Sequence, residues 1–240
     1  MNKIYGFECK RLISNKFFIG IAAVIVIYGW QVLKNITIKG VSYTAPFSPW
    51  SFGDYLCHIL PLLWIGTLFF VSLFHTEEEE RRSRLFIAVK MKPQTHGLLR
   101  CLAILTVAVL LAFISILPAF VFYAKLFEWY SWGSLIGVAV ITLVPVVVFA
   151  LGSGRVVVFF GRWALYLWML VPFVLKMFKL PEAFGILNGT LFTERPLQLK
   201  ILDPAFSLNA GTTLVQILLF IIGIACVLMK RARGLTPLAH

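Results

Sequence analysis

The side chains most able to do chemistry crowd into one short stretch. In HTEEEERRSRLFIAVKMKP, residues 75–93, four glutamates run into arginines, and Glu77, Glu78 and Glu80 stand four residues ahead of Arg81, Arg82 and Arg84. On a helix these are i,i+4 pairs in the favourable order, each contributing only about 0.3–0.5 kcal/mol when exposed. Pairing of that size does not account for the block as a stability device. A short apolar run containing Leu85, Phe86 and Val89 follows, too brief to cross a bilayer, and Lys90, Met91, Lys92 and Pro93 end it. A charged surface beside a small packing face is suited to docking, on lipid or on a protein partner.

Reactive chemistry is otherwise sparse. His58 and His75 are 17 residues apart, and neither stands in an HExxH pattern or has a same-face partner for a metal or haem. Cys9, Cys57, Cys101 and Cys226 are scattered without C-x-x-C spacing and read as small lipid-compatible side chains. No GxxxxGK[ST] phosphate loop is present, so the chain is not expected to hydrolyse ATP itself. The expectation is a protein with no catalytic residue, no metal site and no cofactor of its own.

The elements that must position the charged block are membrane helices. Of the 240 residues, 60% are hydrophobic and 13% charged, and the mean hydropathy is +0.91. A soluble core of this size cannot cover so much apolar surface. Six apolar runs approach the roughly 20 residues that cross a bilayer as a helix. They are residues 17–33, 55–74, 101–124, 132–152, 163–178 and 212–229, the fifth being short. The fold class expected is therefore all-α, a single polytopic membrane domain over residues 1–240. Pro61, Pro118, Pro145 and Pro172 fall within the runs, where neighbouring helices can satisfy the freed carbonyls. As drawn, the runs hold no ionisable group except His58 and Lys176, which argues against an ion-driven transporter and against an intramembrane enzyme.

Lys and Arg set the orientation. With the N-terminus inside, fifteen fall on the cytoplasmic side, in the N-terminal segment, the 76–97 loop, at Arg100, Arg155 and Arg162, and after residue 229; seven fall outside. Both termini are expected in the cytoplasm of a multi-pass cell-membrane protein. The net charge of +12 then calls for anionic lipid as partner and no nucleic acid. Trp30, Trp50 and the EWYSW run, residues 128–132, would lie in an outer aromatic belt. Residues 179–211, too apolar for a solvated loop and too broken for a span, suggest short helices on or in the outer leaflet. Asn188-Gly189-Thr190 matches a glycosylation sequon, a pattern common by chance. Residues 1–16 suggest an amphipathic interfacial helix, with Tyr5, Cys9, Leu12, Ile13 and Phe17 on one stripe and Lys3, Lys10 and Arg11 mostly elsewhere.

Together, the N-terminal helix FECKRLISNKFF, the second run passing into SLFHTEEEERRSR, the short LFIAVKMKP element and the HGLLRCLAIL lead into the third run resemble the permease subunits of ABC-2 type transporters. The resemblance covers the whole chain in architecture, with local pattern concentrated in residues 1–105; RRSR and QTHG depart from the commoner residues of the family. It implies six spans, a coupling helix between the second and third, and an outer element between the fifth and sixth. It also implies a second permease copy, identical or related, and two copies of a separate ATPase subunit that binds ATP and Mg. Glu77, Glu78, Glu80, Arg81, Arg82 and Arg84 would contact that ATPase, with Leu85, Phe86 and Val89 packing on it. The cargo implied is hydrophobic or amphipathic, such as an antimicrobial peptide, a lipid or a drug. The alternative is a non-transporting immunity or sensor protein that uses the same loop on a cytoplasmic partner.

Overall fold

The computed structural model describes residues 2–76, 93–178, 180–201 and 203–229. Among these every regular element is helical. In chain order the α-helices are α1 Asn2–Ile13, α2 Lys16–Asn35, α3 Pro49–Leu73, α4 Pro93–Phe127, α5 Gly133–Val157, α6 Arg162–Met177, α7 Gly185–Asn188, α8 Thr190–Leu199 and α9 Ala210–Leu228. Short 3₁₀ turns, among them Thr37–Lys39 and Glu182–Phe184, link some of them.

Five stretches among the described residues are long and apolar enough to cross a membrane: Lys16–Lys39, Pro49–Leu73, Thr95–Phe127, Gly133–Phe160 and Ala210–Leu228. The remaining expected span, residues 163–178, corresponds to α6, whose 16 residues rise about 24 Å at 1.5 Å per residue. That is short of the roughly 30 Å hydrocarbon layer.

Helix starts explain where the second run was drawn too short. Ser48, extended at ψ 155°, accepts the Ser51 amide on its hydroxyl, and Pro49 occupies the first helical position with no amide to waste. The helix therefore begins at Pro49 and carries polar Ser51 and Asp54 inside its first turns. α3 is the most enclosed of the candidate spans, with α2, α4, α5 and α6 around it. By contrast α9 leaves Leu214, Ile217, Leu218, Ile221 and Ile222 exposed, and α4 leaves Val109, Phe113 and Leu117. Apolar side chains in that number on the outside are at rest only in lipid.

Glycine permits the closest helix contact. A side chain on Gly152 of α5 would run into the backbone carbonyl of Gly223 of α9, and one on Gly223 would meet the Val148 and Phe149 backbone. Small residues let two membrane helices approach this way and gain dispersion along their length. The helices alternate in direction, which sorts their ends into two groups. One gathers α1, Phe74, the start of α4 and Arg155; the other gathers the 40–48 turn, the start of α3 and the 180–208 segment.

Candidate functional site

At the first end, α1 lies against α4 and not free on a surface. Leu12 is buried, and the Tyr5 hydroxyl sits 2.6 Å from that of Thr106. Thr106 donates to the Leu102 carbonyl, so Tyr5 is the donor between the two hydroxyls. Half of the expected stripe thus faces protein: Tyr5, Cys9 and Leu12 pack inward, while Ile13 stays partly exposed and Lys10 exposed. Lys3, Phe7, Lys10 and Ser14 make the outward face, with Phe7 64% exposed between two lysines.

Glu8 turns inward. Its side chain is 4% exposed, with Oε2 3.3 Å from Arg11 Nη2 and Oε1 3.6 Å from Arg100 Nε on α4. Both guanidinium groups also lie over the Phe74 ring, each 4.9 Å from its centroid. A buried carboxylate is costly unless paired, and two arginines with an aromatic face beneath them supply the pairing. Phe74 follows the last residue of α3, and Arg100 lies in the second turn of α4. The cluster therefore ties α1 to both stems of the charged segment. Nearby, Arg162 donates through Nε to the His75 carbonyl at 3.1 Å, and Arg155 donates to the Val227 carbonyl of α9.

The expected docking residues Glu77, Glu78, Glu80, Arg81, Arg82, Arg84, Leu85, Phe86 and Val89 lie outside the described residues. What the structure places is their frame. Arg100 is separated from Glu8 by 92 positions in sequence, so no local pattern pairs them.

No family model matches the chain, and no curated protein or solved structure does.

At the opposite end the 180–208 segment forms short helices that cap the start of α3. Phe192 fills the space left by Gly53, where any side chain would collide with its ring. Trp50, expected in an outer belt, is instead fully buried: its ring meets Phe192 and Phe206, and its Nε1 donates to the Pro204 carbonyl at 2.8 Å. Indole has one donor and a large apolar area, and the cap satisfies both. The sequon Asn188 is spent on structure, since its Oδ1 accepts the Thr190 amide at 3.1 Å and hydroxyl at 2.7 Å, while its Nδ2 donates to the Phe178 carbonyl. Arg195 pairs with Glu182 at 3.1 Å within the cap.

Asp54 overturns the expectation that the spans lack an acid. It lies within α3 and is 4% exposed, with its Oδ1 toward the Gly189 turn of the cap. His58, one turn on, has its Nδ1 3.6 Å from Asp54 Oδ2 and 2.9 Å from the Asp54 carbonyl. Lys176 stands in the last turn of α6. The Ser48-Pro49 start signal was the clue in the sequence that would have put Asp54 inside a helix.

Proposed function

We propose that this chain is the membrane-spanning permease subunit of an ATP-binding cassette exporter, powered by ATP and Mg on a separate ATPase subunit. Six crossings, with α6 as the short one, leave both termini in the cytoplasm and the cap outside. Two copies of the chain, or this chain with a related one, form the pathway, and two ATPase copies bind the segment from Glu77 to Val89. The cargo is hydrophobic or amphipathic, in keeping with the exposed apolar faces of α4 and α9.

The observation that carries this reading is the Glu8–Arg11–Arg100–Phe74 cluster. A force applied to the charged segment reaches α3 through Phe74 and α4 through Arg100, and α1 holds the two together. A docking loop on loosely joined stems would spend the push on local motion. With stems clamped on one carboxylate, the push moves the helices as a unit. The outward Lys3, Phe7 and Lys10 give α1 a footing on anionic headgroups, with the ring inserted and the ammonium groups at the phosphates.

The test is affinity capture of the tagged full chain, co-expressed with the ATPase encoded nearest to it. ATPase retained by the wild type and lost with Glu77→Lys, Glu78→Lys and Glu80→Lys together supports the reading. Equal retention by both removes the docking assignment, and no retention by either favours the non-transporting alternative.

A further inference from the structure

The contact between α5 and α9 encloses polar groups to which the helices give no partner. α9 buries Thr212, Gln216, Leu219 and Gly223, a four-three-four spacing that makes one stripe, and α5 is its main cover. Gly223 lies against the Val148 and Phe149 backbone, Gly152 lies against the Gly223 carbonyl, and Arg155 donates to the Val227 carbonyl. Residue numbers rise together along these contacts, so the two helices run parallel in one register. One heptad back from Phe149 and Gly223, about 10 Å along the axes, stand Thr142 and Gln216. Thr212, the other polar residue of the α9 stripe, donates to the Glu182 carbonyl at 3.3 Å and is satisfied by the cap.

Gln216 and Thr142 are not satisfied. Gln216 is 4% exposed and Thr142 fully buried, and among the described residues Gln216 Nε2, Gln216 Oε1 and Thr142 Oγ1 have no hydrogen-bond partner. A backbone group joins them. Pro145 brings no amide to α5, so the Ile141 carbonyl, four residues earlier and next to Thr142, loses its helical donor. Three acceptors and two donors thus stand at one depth between two membrane helices, where a polar group without a partner is costly. A direct bond between Gln216 and Thr142 would still leave the Ile141 carbonyl bare. One water, with two hydrogens and two lone pairs, can donate to the Ile141 carbonyl and to Gln216 Oε1 and accept from the Thr142 hydroxyl. About three bonds to otherwise unsatisfied groups is the usual complement of a buried water.

We propose that the Ile141 carbonyl, Thr142 and Gln216 form a hydration site that holds one water between α5 and α9 in the hydrocarbon layer, one heptad from the glycine contact. The glycines set how near the helices stand. The water sets how α9 is turned, because a rotation that carries Gln216 away leaves the amide, the hydroxyl and the carbonyl without partners together. The site lies within one chain, and it holds its water whether or not an ATPase docks on that chain.

The experiment uses the full chain in lipid bilayers, with glutamine isotopically labelled at carbon and nitrogen and valine at its carbonyl carbon. Valine precedes glutamine only at Val215-Gln216, so the Gln216 signals are assigned without a variant. Water-edited solid-state NMR then follows magnetisation passing from water protons to the Gln216 side-chain amide and to its own backbone amide, which is bonded within α9. The expected result is a side-chain build-up faster than the backbone one by on the order of fivefold. Thr142→Val keeps the shape, removes the hydroxyl and should cut that ratio by about half or more. Equal build-up at the two wild-type amides means a dry contact and overturns the proposal. A fast side-chain signal that Thr142→Val leaves unchanged also overturns it, since the water is then not shared with α5. If Thr142→Val does not fold, Pro145→Ala, which returns an amide to the Ile141 carbonyl, takes its place: the same loss supports the site, and an unchanged ratio overturns it.

Discussion

The two ends of the bundle are held by different physics. At the α1 end one carboxylate, Glu8, joins Arg11 and Arg100 over Phe74, through long side chains and charge. At the cap end Trp50, Phe192 and Phe206 interlock by shape, with Gly53 giving the ring its place. Charge pairs tolerate small displacements because their energy falls slowly with distance; interlocked rings do not, because a gap of under an ångström forfeits much of the contact. The α1 end can therefore pass on movement, whereas the cap end resists it until something breaks the fit. An end that can move and an end that holds are what the proposed exporter would require.

Each side of that contrast can be broken separately. Gly53→Leu is expected to do most damage, because the new side chain and the Phe192 ring claim the same space. The cap should detach, seen as fast hydrogen exchange across residues 180–208 with α1 unaffected. Phe192→Ala leaves a cavity in place of a collision, with a cost of roughly 3–5 kcal/mol in thermal unfolding of the detergent-solubilised chain. Glu8→Gln removes the charge and keeps the shape. Breaking a buried pair costs roughly 3–5 kcal/mol, and partial exposure of Arg11 brings this case toward the lower bound. Its exchange signature should appear in α1 and early α4, leaving the cap protected. Tyr5→Phe loses one hydrogen bond to Thr106, about 1 kcal/mol, and loosens only α1. Added salt should act on the Arg11 side of the cluster and on the Glu182–Arg195 pair, and leave the Trp50–Phe192–Phe206 packing unchanged, since screening weakens exposed charges and not ring packing.

Much of the fold could be read from the chain, because lipid demands long apolar runs and these stand out in any window. α2, α4, α5 and α9 follow from that rule. α3 was placed, but its start was not: Ser48, Ser51 and Asp54 look like loop residues by polarity, and only Ser48-Pro49 as a cap and first-turn pair shows them to be helical. Asp54 was missed for that reason. The amphipathic stripe of α1 was legible too, yet Tyr5 and Leu12 turned out to face Thr106 and the core, because a helical stripe does not say whether lipid or protein covers it. Glu8–Arg100 and Trp50–Phe192 join residues far apart in sequence, and such pairs leave no periodic trace. The charged block was conspicuous by composition, while the Glu8–Arg11–Arg100–Phe74 cluster that holds its stems was not.

The most direct test of that cluster is the ATP hydrolysis rate of the purified complex of this chain with the ATPase proposed as its partner, compared between wild type and Glu8→Gln. The account predicts that Glu8→Gln still assembles with the ATPase, while hydrolysis falls to the rate of the ATPase alone. A Glu8→Gln complex that hydrolyses ATP at the wild-type rate would contradict it.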